Sequence, residues 1–225
     1  MGVISFVSSK GGVGKTTGAV VLASELLAAG KTVAMIDADP NRPLVSWARL
    51  RPIGSGFSLV ADDSAETIID TIDEARRSSN FVLVDLEGTA TDRIGFAVTR
   101  SDLVLVPVQG SMLDANEAAK SVKLIRQMAR VANREIPYRL YFSKLAPAIR
   151  ERTTRDIEEQ FARNGIPTLP ASLIDRAAYR ALFSLGGTLH DLDRADIGGL
   201  DRAKENARGF AQAILNTLRE KPRHG

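Results

Sequence analysis

The chain has 225 residues, 44% of them hydrophobic, with 30 Lys and Arg against 27 Asp and Glu for a net charge of +3. That length suits one well-buried α/β domain and leaves no room for a second large one. Without a single cysteine, disulfides and thiolate metal sites are excluded, and no window approaches the ~20 apolar residues of a membrane-spanning helix.

Apolar runs of strand length alternate with helical patterns from end to end, which predicts a doubly wound, mostly parallel sheet with helices on both faces. One domain is expected over residues 1–225, with no separate DNA-binding module. The first strand is read over Val3–Val7 and the first helix over Thr16–Ala29. Between them runs Lys10-Gly11-Gly12-Val13-Gly14-Lys15-Thr16-Thr17, the strand, glycine loop and helix context that a P-loop requires. The glycines permit successive N–H groups to turn inward around phosphate oxygens at the positive end of the helix. Lys15 would then neutralise the β- and γ-phosphates while the Thr16 hydroxyl holds Mg²⁺ directly. ATP or ADP with Mg²⁺ are the cofactors expected.

The second strand, Thr32–Ile36, runs into Asp37-Ala38-Asp39-Pro40 and is followed by a helix over Pro43–Leu50. A strand over Phe57–Val60 and a helix over Ala65–Ser78 precede the fourth strand, Phe81–Val84, which ends at Asp85. Ligands of a parallel sheet gather at the carboxyl ends of its strands, so these acids are candidates for the metal and the attacking water. An apolar strand running into Asp85 matches a Walker B segment, whose carboxylate holds Mg²⁺ through a water. Further helices are read over Asp92–Thr99, Asp114–Ala132, Arg152–Asn164, Arg176–Leu185 and Asp201–Leu218, with strands over Leu103–Pro107, Tyr138–Phe142 and Ile166–Leu169. Arg51–Gly56 and Gly186–Gly199 are the loosest stretches by composition.

Charge is unevenly spread. Residues 1–112 carry 10 basic against 13 acidic side chains, residues 113–225 carry 20 against 14, and residues 120–155 carry ten against two. On the helix beginning near Asp114, Lys120, Lys123, Arg126, Arg130 and Arg134 fall on one third of the circumference. Val122, Leu124, Ile125, Met128, Ala129 and Val131 fill the opposite face. Arg139, Lys144, Arg150, Arg152 and Arg155 continue the charge along the chain. A cationic ridge of this kind suits sequence-independent contact with DNA phosphates. Aromatic content of 5% argues against base stacking on single strands. His190 and His224 have no ligand spacing around them.

The KGGVGKTT run resembles the deviant Walker A box of the ParA/MinD family of ATPases. The resemblance implies that Lys10 reaches across a nucleotide sandwich to the partner subunit's phosphates, so that a homodimer closes only on ATP. It implies that Asp39 positions or activates the attacking water and that Asp37 supports the P-loop, or the metal through a water. Absence of cysteine excludes the iron–sulfur relatives of that family. Val106-Pro107-Val108-Gln109-Gly110-Ser111-Met112-Leu113-Asp114 resembles the family loop beside the nucleotide and the dimer face. Leu173-Ile174-Asp175-Arg176-Ala177-Ala178-Tyr179 resembles the late turn near the base.

The resemblance further implies a weak Mg-dependent ATPase of the partition type, cytoplasmic and nucleoid-associated. It would be stimulated by a DNA-bound adaptor of the ParB or centromere-binding type. Partition ATPases usually carry Gln after Asp-Pro; here Asn41-Arg42-Pro43-Leu44 followed by Trp47 looks more like ATPases assisting conjugative or T-DNA transfer, which would make a relaxase the partner. Trp47 alone reads as core or interface packing. A MinD-type membrane switch would need an apolar amphipathic terminus. The last helix has Ala203, Ala207, Phe210, Ala211, Ile214, Leu215 and Leu218 on one side, a pattern that packing on the sheet also explains, and the tail from Arg219 to Gly225 is polar. No membrane association is expected.

Overall fold

A computed structural model describes residues 2–88, 92–145 and 152–220. Its strands are β1 (Gly2–Phe6), β2 (Val33–Ala38), β3 (Phe57–Ala61), β4 (Phe81–Leu86), β5 (Leu103–Val108), β6 (Tyr138–Leu145) and β7 (Leu173–Ile174). They form one sheet in the order β3-β2-β4-β1-β5-β6-β7, parallel at every pairing. The helices are α1 (Lys15–Ala28), α2 (Pro43–Leu50), α3 (Ile68–Ser78), α4 (Asp92–Arg100), α5 (Met112–Val131), α6 (Arg152–Arg163), α7 (Ala177–Leu185) and α8 (Leu200–Arg219).

Parallel strands must be joined by crossovers, and the crossover helices cover both sheet faces. Every residue of β1, β2, β4 and β5 is accordingly buried. The period of two divides the core into two layers. Ile4, Phe6, Met35, Leu83, Leu105 and Tyr141 meet the apolar sides of α1, α2, α7 and α8. Val3, Ile36, Val84, Val106 and Phe142 meet α3, α4, α5 and α6. β1 lies between β4 and β5, so the chain departs from it in opposite directions. The crevice opened at the strands' carboxyl ends is where such a sheet binds ligands.

Three details depart from the sequence reading. Residues 166–169 form no strand: Leu140 donates to the Pro167 carbonyl at 3.0 Å and accepts from Leu169 N at 2.7 Å, leaving only a bridge to Thr168. Pro167 and Pro170 cannot donate to a ladder, so the seventh strand is the later pair Leu173–Ile174. The stretch Gly186–Gly199 is partly anchored: Gly186 through Leu189 are buried, the Trp47 indole donates to the Gly187 carbonyl at 3.0 Å, and Leu189 N donates to Ser24 Oγ at 3.2 Å. Val131 ends α5 with 71% of its surface exposed instead of facing the core.

Trp47 is a core residue, stacked edge-on against Phe57 with ring centroids 5.7 Å apart. The apolar side of α8 is likewise spent on the sheet, with Ala203, Ala207, Phe210 and Ile214 fully buried and Leu215 and Leu218 packed on the same cluster. No described helix is long and apolar enough to cross a membrane. Arg150 and the tail at 221–225, His224 included, lie outside the described residues, as does the side chain of Arg152.

Gly18 sets how closely α1 approaches the sheet. A Cβ there would fall against the Tyr141 hydroxyl and 3.0 Å from Phe6 Cε1, two buried rings that cannot swing aside. Gly18→Ala gains up to about 1 kcal/mol of helix propensity but overpacks the core at a cost of about 1–3 kcal/mol. Urea unfolding of this variant should therefore show a net loss of stability.

Candidate functional site

Gly12 and Gly14 take φ values of +72° and +101°, a region that residues with a Cβ seldom enter. These two positions let the chain turn from β1 into α1, whose first residue is Lys15. A glycine turn of this kind leading into a helix N-terminus is the arrangement that binds anions through backbone N–H groups. Tyr141 Oη donates to the Gly14 carbonyl at 3.2 Å, Ser143 Oγ to that of Val13 at 2.6 Å, and Lys144 Nζ to that of Gly12 at 2.6 Å. Sequence reasoning counted Lys144 only as surface charge and passed over Tyr141 and Ser143. Their place at the carboxyl end of β6, the same edge as the P-loop, was the available signal.

Lys15 is buried, and burial lowers its pKa against the opposing pull of Asp85, Asp39 and Glu87. Thr16 Oγ1 donates to Asp85 Oδ2 at 2.6 Å, and Asp85 Oδ1 is buried with no partner. Burial pushes the Asp85 carboxyl up to about 7, opposed by the Thr16 hydrogen bond and the Lys15 charge. A buried carboxylate oxygen left without a partner beside a threonine hydroxyl is a donor set for a hard cation. Mg²⁺ held by Thr16, by Asp85 through water and by phosphate oxygens fits these residues. Among the described residues no group of three or more His, Cys, Asp or Glu could hold a metal.

Asp37 and Asp85 stand opposite one another in the β2–β4 register. The Asp37 carboxylate turns away toward α2, accepting from Val45 N at 2.9 Å and Asp39 N at 3.4 Å; burial is the main influence on it and raises its pKa. These bonds tie Asp37 to the turn that presents Asp39. Asp39 Oδ1 accepts from the backbone and side chain of Asn41, both at 2.9 Å. Its charge is felt at both Lys15 and Asp85.

Lys10, with 45% of its side chain exposed, pairs with Asp114 at 2.7 Å at the start of α5. Gln109 Nε2 reaches the Gly12 carbonyl at 3.4 Å, so the Val106–Asp114 segment does lie against the P-loop. Thr17, Gly14, Leu173, Asp175 and Tyr179 line a cleft of about 440 Å³ on the other side of the loop, where the late turn was expected near a base. A larger cleft of about 680 Å³ opens at the opposite end of β6, around Arg126, Tyr138 and Arg139. It shares no residue with the P-loop.

Two further residues went unread in the sequence. Gly88 follows β4, and a Cβ on it would stand 3.1 Å from Gly11 N and 3.2 Å from the Lys10 carbonyl carbon, so a larger residue would press the segment and the loop apart by a few tenths of an ångström. Glu87 acts on Lys15 electrostatically and, itself half-buried, pairs with the buried Arg93 at 2.7 Å. The Glu-Gly that follows the Asp85 strand was the sign of both.

The basic ridge is only partly as expected. Lys120, Lys123, Arg126 and Arg130 are exposed along α5. Lys120 pairs with Glu117 at 2.7 Å, and Arg126 donates to Tyr138 Oη at 2.9 Å and sits over its ring. Arg134 does not belong to the ridge: α5 ends at Val131, and the Arg134 guanidinium donates to the carbonyls of Thr99, Ser101 and Glu135, closing the end of α4. Arg139 pairs with Glu220. Lys123 and Arg130 have no partner among the described residues.

A protein-family model described as VirC1 protein matches residues 1–216. A protein called ParA from Rhizobium radiobacter is 38% identical over 220 residues, which cover 98% of this chain and 99% of that protein. Among solved structures, the MinC:MinD complex of Aquifex aeolicus matches with a TM-score of 0.76 at 18% identity, over 96% of each chain. The ATP complex of a Cyanothece McdA variant matches with a TM-score of 0.74 at 15% identity, again over 96% of each chain. At these identities the two structures establish the shared fold and nothing more.

Because Arg134 closes α4, Arg134→Ala should lower the unfolding free energy by about 1 kcal/mol through its lost backbone bonds. Chemical denaturation measures the loss.

Proposed function

This chain belongs to the VirC1 family and to the ParA/MinD family of P-loop ATPases, and from that premise we propose that it is a Mg-dependent ATPase whose ATP state is a sandwich dimer that binds DNA without sequence preference and moves or positions a DNA cargo. The observation that carries the reading is the pair of half-buried Thr16 with buried Asp85, whose second carboxylate oxygen has no partner, beside a P-loop that opens with an exposed Lys10.

Lys15 and the inward N–H groups of the loop bind the triphosphate, and phosphate charge opposes the burial that lowers the Lys15 pKa, favouring its charged form. Bound Mg²⁺ supplies charge neutralisation on the phosphate oxygens, held by Thr16 and by Asp85 through water. Asp39, fixed on one oxygen by Asn41, presents the other to the attacking water. Asp37 acts through the backbone of that same turn. The Lys10 end of its ion pair with Asp114 is half open to water, and phosphates of a partner-bound nucleotide would replace the carboxylate as its counter-charge, leaving Asp114 its bond from the Ser111 hydroxyl.

Doubling the α5 ridge in a dimer doubles the phosphates neutralised and steepens the salt dependence, which makes DNA binding follow ATP. Site recognition then belongs to a DNA-bound adaptor that also stimulates turnover, and the protein is placed on the nucleoid. A second reading, an accessory of conjugative or T-DNA transfer with a relaxase as partner, is supported by the Asn41-Arg42-Pro43-Leu44 and Trp47 run. A MinD-like membrane switch has less support, because the apolar side of α8 is already buried against the sheet.

Gel filtration should show a monomer with ADP and a dimer with Mg-ATP, and Lys10→Ala should stay monomeric in both. Asp39→Ala should keep ATP affinity, lose at least about 100-fold in hydrolysis and persist as the dimer. Hydrolysis at the wild-type rate would remove Asp39 from the mechanism. For the ridge, Lys123→Glu with Arg130→Glu should weaken DNA binding and flatten its log–log salt dependence by roughly two per protomer. An unchanged slope would move the DNA surface elsewhere.

A further inference from the structure

The carbonyl bonds between β6 and the P-loop follow a pattern that packing alone does not require. We propose that the carboxyl end of β6 is a clamp that sets the shape of the phosphate cradle, with Tyr141, Ser143 and Lys144 as positioning residues that aim three consecutive P-loop N–H groups at the nucleotide. The proposal deepens the nucleotide-binding reading above and rests on it for the identity of the ligand.

In a planar trans peptide the C=O of one residue and the N–H of the next point in opposite directions. A donor that holds the carbonyls of Gly12, Val13 and Gly14 on the outer side of the loop therefore turns the N–H groups of Val13, Gly14 and Lys15 inward. The three donors come from one strand: Lys144 Nζ to Gly12 at 2.6 Å, Ser143 Oγ to Val13 at 2.6 Å and Tyr141 Oη to Gly14 at 3.2 Å. The Gly14 carbonyl also accepts the first helical bond, from Gly18 N at 2.9 Å, so Tyr141 reinforces the entry into α1.

Strand geometry makes the third donor the informative one. Tyr141 and Ser143 are two residues apart and share a face of β6; Lys144 in a regular strand would point to the other face. Instead Lys144 takes φ +54°, a conformation rare for a residue with a Cβ, and the β6–β7 register slips between Ser143 and Leu145. Such irregularities re-aim a side chain beside a site. Here the kink delivers Nζ to the one carbonyl of the three that the regular strand would leave unheld by β6. Ser143, only 2% exposed, gives the clamp a hydroxyl shielded from water. The same strand end forms one wall of the 440 Å³ cleft, so a base seated there would rest on the residues that shape the cradle.

The test uses the full chain and two measurements, Mg-ATP affinity by titration calorimetry and the backbone amide resonances of Val13, Gly14 and Lys15 in nucleotide-free protein. Ser143→Ala and Lys144→Ala should each raise the Kd by about 3- to 10-fold, the range of one lost hydrogen bond. Both should shift or broaden those three amides while leaving the β4 amides in place. Lys144→Arg, which keeps a cationic donor, should recover most of the affinity. Wild-type affinity in both alanine variants, unmoved cradle amides, or an arginine variant no better than alanine would each overturn the clamp. Should the wild-type protein fail to bind Mg-ATP, the nucleotide reading falls, whereas the amide resonances in nucleotide-free protein still decide whether β6 shapes the loop.

Discussion

A lysine and an aspartate are kept from water at the carboxyl edge of this sheet, where burial penalises the charged form of each. Burial depresses Lys15 and raises Asp85, since the low-dielectric interior penalises the ionised form of each. Single hydrogen bonds to a carbonyl and a hydroxyl compensate only part of that penalty. A polyanion with its cation, brought to a concavity lined with N–H groups, would complete both. The fold's other features at this edge build and keep that concavity.

Those features act on the backbone. Positive φ at Gly12 and Gly14 makes the turn possible, Gly18 brings α1 close to Tyr141, and Gly88 lets the segment after β4 lie on the loop. Side chains from β6 then hold the loop's carbonyls outward. Strand ends carry the chemistry because a parallel sheet delivers all of its carboxyl termini to one edge, so residues distant in sequence meet there. Asp39, Asp85, Gln109 and Lys144 belong to four different strand ends and act on the same P-loop.

Lys10 has a different character. Its partner, Asp114, begins the helix that carries the basic ridge. The P-loop and the cationic face are thus joined through one ion pair and one helix. The ridge itself is leaner than its periodicity suggests, because two of its five cations are engaged by neighbours and a third, Arg134, is spent on the end of α4.

Periodicity and glycine spacing were enough to specify the parallel α/β class, every helix to within three residues at its start, the P-loop, and Asp39 and Asp85 at the ends of their strands. These are local properties: apolar runs bury themselves whatever their neighbours, and a phosphate loop is contiguous in the chain. Tertiary structure alone decided which way side chains turn once placed. Asp37 faces α2, Arg134 caps α4, Trp47 closes the 186–189 segment, and residues 166–169 yield the last strand to Leu173–Ile174. It also brought Lys144, Ser143 and Tyr141 to the P-loop from more than a hundred residues away, a contact that no spacing in the sequence encodes. The reason is physical: a hydrogen bond between distant segments depends on the packed positions of both, and those positions exist only after the sheet has formed.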